Sequence, residues 1–159
     1  MDMYIWFECK VRYEKTMENG MVKKITEPYV VDAMSFTEAE SRIIEIISHY
    51  VSGEFTIADI KRANYSEVFF NEDGDRWFKA KVQFITIDEK SGAEKRSSTN
   101  MLVQASNLRD ALDKIDEGMK GTMSDYVVAA VNETAIMDVY PYEVKADDKP
   151  EYETKGQGL

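Results

Sequence analysis

An internal repeat limits the folds open to this sequence more than any other of its features. The stretch WFECKVRY (residues 6–13) returns as WFKAKVQF (residues 77–84), at an offset of 77 − 6 = 71 residues. One inserted residue then moves the offset to 105 − 33 = 72, and the apolar matches continue: Ala33 with Ala105, Phe36 with Leu108, Ala39 with Ala111, Ile43 with Ile115. Matches in two successive registers predict a duplicated unit of about 70 residues.

Each half has the pattern of two strands, one helix and two further strands. Residues 3–13 alternate apolar and polar side chains, which is typical of a half-buried strand. A turn at residues 18–20 leads into a second strand. Ser35 and Glu38 form a capping box at the start of a helix, and Gly53 ends it. We therefore predict an α+β fold of two tandem β-β-α-β-β repeats, each a mostly antiparallel sheet with one helix on one face, related by a pseudo-two-fold.

The repeat also predicts how the chain is divided. The first repeat covers residues 1–71 and the second covers residues 76–143, with a short polar joint between them. Residues 144–159 are polar and show no apolar period, so they are predicted to form a mobile polar tail.

Charge and composition exclude several classes of protein. The net charge is −10, so the chain on average repels nucleic acid and anionic membranes, and any anion-binding role needs a local patch. No run approaches the ~18 apolar residues of a membrane span, and the first residues lack the pattern of a secretory signal. Cys9 is the single cysteine, which excludes an internal disulfide. These features predict a cytoplasmic protein without a membrane partner.

A tryptophan followed by cations at two-residue spacing occurs in the first strand of each half. Alternation along a strand puts the ring and the cations on one sheet face, an arrangement that holds single-stranded nucleic acid or a nucleotide. The predicted ligand-binding residues are Trp6, Lys10, Arg12, Trp77, Lys79 and Lys81, with a secondary basic patch of Lys23, Lys24, Lys95 and Arg96. In the alternative interpretation, the two tryptophans are packing residues, or the aliphatic stems of the lysines cover them.

Signatures of catalysis and metal binding are missing from the sequence. It has no C-x-x-C, no H-E-x-x-H and no glycine-rich phosphate loop. His49 is the single histidine and has no partner suggested by the sequence. Glu67 and Asp138 occupy matched places, where solvated strand acids are the default interpretation. We predict no catalytic residue, no metal and no cofactor, and a binding protein rather than an enzyme.

Several stretches resemble a known family: WFECKVRYEKTMENG, EPYVVDAMSFTEAE, GDRWFKAKV, EKSGAEKRSSTNMLVQA and MDVYPYE. They are similar to an uncharacterised domain family, a domain of unknown function, of Bacteroidota bacteria and their phages. The similarity covers roughly residues 4–143. It implies a source but transfers no catalytic or binding residue. A phage source favours replication accessories, DNA-binding proteins and counter-defence proteins.

Three functions are consistent with these features. The leading hypothesis is a non-enzymatic, phage-related binding protein that holds single-stranded nucleic acid or a nucleotide-like anion on the duplicated Trp/Lys faces. The second is a protein–protein interaction module or complex subunit, in which aromatic residues and the nine methionines form a partner or homo-oligomer face. The third is a sequestering protein for a small nucleotide signal.

Overall fold

The structure is a computed structural model that describes residues 4–142. In these residues the chain forms eight strands, arranged in two four-stranded sheets, and two helices. In chain order they are β1 (Ile5–Thr16), β2 (Val22–Ala33), α1 (Phe36–Ser48), β3 (Phe55–Ala63), β4 (Tyr65–Phe69), β5 (Arg76–Ile87), β6 (Glu94–Ala105), α2 (Leu108–Gly118), β7 (Asp125–Glu133) and β8 (Val139–Tyr140). The predicted α+β class is confirmed, and the elements are consistent with two similar halves. The predicted tail, residues 144–159, lies outside the described residues.

The described chain divides into two compact units, and unit 1 comprises residues 4–63 and 138–142. Its sheet has the order β3-β1-β2-β8, in which β1 is antiparallel to both neighbours and β8 is parallel to β2. Helix α1 covers one face because its apolar residues recur at helical spacing. The core consists of Phe7, Cys9, Val11, Val31, Ala33, Ala39, Ile43 and Ile47.

Unit 2 comprises residues 64–137. Its sheet has the order β4-β6-β5-β7, in which β5 is antiparallel to both neighbours and β4 is parallel to β6. Helix α2 covers one face of this sheet. The core consists of Phe78, Ala80, Val82, Met101, Val103, Ala105, Ala111, Ile115 and Met119.

The compact units have different bounds from the sequence repeats of residues 1–71 and 76–143. Strand β4 ends the first repeat but pairs in the sheet of unit 2, and β8 ends the second repeat but pairs in the sheet of unit 1. A periodic pattern predicts that a strand exists, whereas its partner depends on which sheet edge accepts it. The repeat bounds and the pseudo-two-fold remain predictions.

The two units share local details as well as the order of strands across the sheet, although the parallel edge strand is the last in the chain in unit 1 (β8) and the first in unit 2 (β4). The N-cap side chains of both helices accept backbone N–H groups, with Ser35 Oγ 3.1 Å from Glu38 N and Asn107 Oδ1 2.8 Å from Asp110 N. The pairing register of β1 with β3 shifts by one residue after Lys10. The register of β5 with β7 shifts in the same way after Lys81, the residue that matches Lys10 in the second repeat. Neither helix in the described part of the chain is long and apolar enough to cross a membrane.

Candidate functional site

The two predicted tryptophans have different surroundings. Trp77 is 2% exposed, and its ring meets the Phe70 ring edge-on with 5.5 Å between centroids. Its backbone carbonyl accepts hydrogen bonds from the N–H and the hydroxyl of Thr134, at 2.9 and 2.8 Å. Trp6 is half-buried. Burial favours the packing interpretation for Trp77, and a stacking role for either ring stays a prediction.

The predicted cations of β1 lie on the sheet face opposite α1, among carboxylates. Lys10 is directly opposite Asp59 on β3, and Glu8 is directly opposite Lys61. Residues opposite each other in an antiparallel pair point to the same face, so the charges on this face of unit 1 alternate. Arg12 is exposed, and its Nε donates to Thr26 Oγ1 at 3.3 Å.

The matching face of unit 2 has a different chemistry. Lys79 lies between Leu102 and Asn132, and Lys81 lies between Asn100 and Ala130, so no carboxylate is directly opposite either lysine. Both lysine side chains are exposed. We define the cation–amide face as six polar residues on this side of the sheet: Lys79, Lys81, Gln83, Arg96, Asn100 and Asn132. Ser98, Glu94 and Asp125 lie on the same side, the two acids near its Arg96 end and away from Lys79 and Lys81.

Arg96 is tied into this face by its neighbours. Its Nη1 donates to Gln83 Oε1 at 3.2 Å, and its Nε donates to Glu94 Oε2 at 2.7 Å. The side chains of Arg96 and Glu94 are about half exposed, at 47% and 49%, so their ion pair is weakened by solvent. Gln83 in turn donates to Ser98 Oγ at 3.2 Å. The contacts hold the guanidinium at the sheet surface.

Strand alternation divides the secondary basic patch. Lys95 neighbours Arg96 in β6 and therefore points to the opposite face, and Lys23 and Lys24 in β2 are separated in the same way. Lys24 lines a groove of about 670 Å³ in unit 1, together with Arg12. Glu14 and Glu54 also line this groove, so its two cations are balanced by two carboxylates. The groove therefore has no preference for anions by formal charge.

Sequence reasoning missed a cluster of phenols around one carboxylate in unit 1. The hydroxyls of Tyr13 and Tyr29 both donate to Glu27 Oε1, at 3.0 and 3.2 Å. Burial, followed by the interaction with Glu27, raises the pKa of the Tyr29 phenol above its usual value, and the pKa of Tyr13 is raised for the same reasons. The signal in the sequence was Glu27 and Tyr29 two residues apart, which places both on one face of β2.

A second missed feature is an arginine cluster in unit 1. Arg42 of α1 donates to the backbone carbonyl of Asp32 and, at 3.1 Å, to its carboxylate. It also donates to the carbonyl of Pro141 at 3.3 Å, and its guanidinium lies 5.3 Å from the centroid of the Tyr142 ring. The Asp32 carboxylate accepts the N–H of Tyr142 at 2.5 Å. Partial burial raises the pKa of Asp32, although the Tyr142 N–H and Arg42 oppose that shift.

The remaining titratable side chains named by the sequence analysis lie apart in the described part of the chain. Within residues 4–142, no group of three or more His, Cys, Asp or Glu side chains could hold a metal ion. Cys9 is fully buried, and desolvation raises the pKa of its thiol to about 12, so it remains protonated near neutral pH. Glu67 is exposed on β4, whereas Asp138 is half-buried and its carboxylate accepts the N–H of Val139 at 2.9 Å.

Comparison with known proteins gives a family without an assigned function. A family model described as a domain of unknown function (DUF4494) matches residues 5–142. The match covers 142 − 5 + 1 = 138 of the 159 residues and includes both units. A search of curated proteins finds no match.

Proposed function

The chain belongs to the DUF4494 family, a domain of unknown function, and we propose from its own surface that it is a non-enzymatic binding protein for single-stranded nucleic acid or a nucleotide-like anion. The binding surface is the cation–amide face of unit 2, with Lys79 and Lys81 as the main phosphate contacts. Phosphate oxygens accept hydrogen bonds from lysine, arginine and amide side chains, and this face offers all three.

One comparison carries the proposal. Lys10 and Lys81 occupy the same place in the repeat, since 81 − 10 = 71, but Lys10 is directly opposite Asp59 whereas Lys81 is directly opposite Ala130. An adjacent carboxylate partly cancels the attraction of a lysine for phosphate. The two lysines of unit 2 are therefore better placed to bind an anion than the cation at the matching position of unit 1.

The spacing of the lysines suits a strand rather than a single anion. Lys79 and Lys81 are two residues apart on β5, which separates their Cα atoms by about 6.8 Å. Two adjacent phosphates can then be contacted together, with Asn100 beside Lys81 as a further donor. Because the whole chain carries a charge of −10, binding is expected to be weak and strongly dependent on salt.

The test is a fluorescence anisotropy titration of the full chain with a labelled oligothymidylate at about 50 mM salt, where phosphate contacts are strong. The double variant Lys79→Ala/Lys81→Ala is expected to bind at least about tenfold more weakly and to lower the slope of log K against log salt by about 1.4, since each phosphate contact on a single strand contributes about 0.7. The control is Lys10→Ala/Arg12→Ala, which removes the two predicted cations of β1; Lys10 is the repeat counterpart of Lys81, since 81 − 10 = 71. No binding by the wild-type chain, or equal losses in the two double variants, would contradict the proposal.

Exposed apolar side chains favour a second candidate, a protein-interaction module or complex subunit. Phe36 and Leu108 are 50% and 51% exposed at the matched starts of the two helices, and Leu112 is 38% exposed one turn after Leu108. Exposed apolar residues of this kind mark partner surfaces when they cluster. A sizing experiment would show a homo-oligomer that Leu108→Ser/Leu112→Ser dissociates, and a monomer at all concentrations would count against self-association.

The third candidate, sequestration of a small nucleotide signal, uses the same phosphate chemistry. Native mass spectrometry of freshly purified protein would reveal a bound nucleotide, and a ligand-free spectrum would leave the strand as the preferred ligand. The proposal includes a cytoplasmic setting and a Bacteroidota or phage source. It also includes descent of the two halves from one duplicated β-β-α-β-β unit, which the matched helix caps and pairing shifts support.

A further inference from the structure

Unit 2 contains a groove of about 330 Å³ between the end of β4 and helix α2. Its apolar wall includes Phe69 and Phe70, and its polar lining consists of Asn71, Lys114 and Glu117. The volume lies at the lower end of the range of about 300–1,000 Å³ for ligand pockets, so it suits one ring system rather than a large ligand.

The same junction in unit 1 shows what such a position can hold. In each unit, a side chain of the strand next to the parallel edge strand (β2 beside β8, β6 beside β4) accepts a backbone N–H. The donor is a residue that follows the edge strand. Tyr142 N donates to Asp32 Oδ1 in unit 1, and Asn71 N donates to Gln104 Oε1 at 2.9 Å in unit 2. The guanidinium of Arg42 then lies 5.3 Å from the centroid of the Tyr142 ring. In unit 1 the junction is therefore occupied by an aromatic ring next to a cation.

Unit 2 keeps the backbone contact but lacks the ring. Asn71 stands at the repeat position of Tyr142, since 142 − 71 = 71, and Lys114 stands at that of Arg42, since 114 − 42 = 72. The Lys114 ammonium has only long contacts to carboxylates, 4.0 Å to Asp110 and 3.9 Å to Glu117. Among the described residues, Asn71 Nδ2 is a buried donor without a hydrogen-bond partner. A buried donor of this kind is rare in folded proteins and favours a ligand acceptor nearby.

We propose that this groove receives one base of a bound single strand, an inference that rests on the proposed function. The base takes the place that the Tyr142 ring has in unit 1, lies against Phe69 and Phe70, and has the Lys114 ammonium beside its ring. A carbonyl oxygen of the base accepts a hydrogen bond from Asn71 Nδ2 after rotation about the broad χ2 torsion of asparagine.

The groove is within reach of the cation–amide face along one strand. Lys79 and Lys81 are on the sheet face opposite α2 and the groove is on the α2 side, but β4 is the edge strand of the sheet and only β6 separates it from β5. A strand that runs from the lysines around this edge covers about 10 Å in the plane of the sheet, as two inter-strand steps of about 4.8 Å, and also crosses from one face to the other. A strand whose phosphates contact Lys79 and Lys81 can therefore direct one base into the groove. The phosphates supply sequence-independent affinity, and the groove adds a contribution that only a base can make.

The experiment compares an oligothymidylate with an abasic oligomer of the same length, on the wild-type chain and on Asn71→Leu. The wild type is expected to bind the oligothymidylate at least about fivefold more tightly, because stacking of a base on aromatic side chains contributes that much. Asn71→Leu is expected to lose most of this difference in affinity and to bind the abasic oligomer as the wild type does. The variant should be no less stable than the wild type, because the substitution removes a donor that has no partner. Equal affinity of the wild type for the two oligomers would overturn the groove while leaving phosphate binding intact.

A second measurement judges the groove independently of the lysines. Thymidine, which carries no phosphate, is titrated to millimolar concentration while the side-chain NH₂ signals of Asn71 are followed by NMR. The expected result is a saturable shift of these signals in the wild type. The shift should be the same in Lys79→Ala/Lys81→Ala, because thymidine has no phosphate for the lysines to contact. Unmoved Asn71 signals in the wild type would overturn the inference, whereas failure of the abasic oligomer to bind would overturn the proposed function alone.

Discussion

Units 1 and 2 have the same order of strands across their sheets but differ in the side chains at matched positions. Around the core of unit 1, the hydroxyls of Tyr13 and Tyr29 both donate to the Glu27 carboxylate. The corresponding residues of unit 2 are Phe84, Thr99 and Met101, at offsets of 84 − 13 = 71, 99 − 27 = 72 and 101 − 29 = 72. Unit 1 is thus stabilised by a polar network that unit 2 lacks.

The junctions that follow the parallel edge strands differ in the same direction. Arg42 joins helix, strand and following segment in unit 1 through donors to Asp32, Tyr140 and Pro141. Lys114 makes only long ion pairs on its own helix in unit 2. Two units with the same sheet order can therefore differ at the junction after the edge strand. Side chains of unit 1 fill this junction, whereas unit 2 has a groove there and the proposed anion-binding face on its sheet.

The largest expected effect comes from breaking the arginine cluster. Arg42→Ala should lower the free energy of unfolding by about 3 kcal/mol, because it leaves the partly buried Asp32 carboxylate without its cation and removes the hydrogen bonds that Arg42 donates to three carbonyls. The matched variant Lys114→Ala should change it by less than about 0.5 kcal/mol. Urea unfolding measures both, and similar losses would remove the distinction between the two junctions.

A smaller loss of stability is expected from adding a side chain at Gly118 of unit 2, where the matching residue of unit 1 has one. Ile46 stands at the repeat position of Gly118, since 118 − 46 = 72, but a Cβ on Gly118 would lie 2.5 Å from Cε1 of Phe69. Gly118→Ala should therefore cost about 2 kcal/mol as Phe69 is displaced. Gly53→Ala is the control because no atom lies within 4 Å of its added Cβ. A thermal unfolding scan in which Gly118→Ala is as stable as Gly53→Ala would show that Phe69 moves freely.

The phenol cluster gives the smallest expected effect at neutral pH. Tyr29→Phe should cost about 1 kcal/mol, because it removes a hydrogen bond to the Glu27 carboxylate. Tyr126→Phe is the control, because the bond from Tyr126 to Asp116 lies at the exposed surface of unit 2. Urea midpoints compare the two variants, and an equal cost for both would mean that burial adds nothing to the unit 1 bond.

The same cluster predicts a dependence on alkaline pH. The folded pKa values of Tyr13 and Tyr29 are raised, so their stabilising contribution is complete below the unfolded phenol pKa of about 10 and is lost as pH rises from there towards the folded pKa. Urea midpoints at pH 8 and pH 11 should therefore fall more for the wild type than for Tyr13→Phe/Tyr29→Phe. Parallel falls in the two proteins would assign the alkaline loss to other groups.

The fold was largely predictable because its signals are local. Alternation predicted β1, its repeat in residues 77–84 predicted β5, and the capping residue Ser35 marked the start of α1 where the structure has it. The partners of β4 and β8 were not predictable, because a short apolar strand carries no information about the edge on which it pairs. The division into compact units therefore differs from the division into repeats.

The sequence could predict which residue types form the candidate site, but it could not predict which residues surround them. Spacing predicted one role for Lys10, Lys79 and Lys81, which stays a prediction, but it could not report that Asp59 is opposite Lys10, because Asp59 is distant in sequence. The burial of Trp77 depends on contacts such as that with Phe70, which periodicity does not report. Arg42 was missed because its partners at residues 140–142 are about 100 positions away.

The most direct test of the account is the ¹H–¹⁵N NMR spectrum of the full chain as an oligothymidylate is added. The account predicts that shifts at low salt are concentrated at β5, β6 and β7 around Lys79, Lys81 and Asn132, and that they diminish as salt is raised. Shifts concentrated instead at Lys10 and Arg12, or a spectrum that does not change, would contradict it.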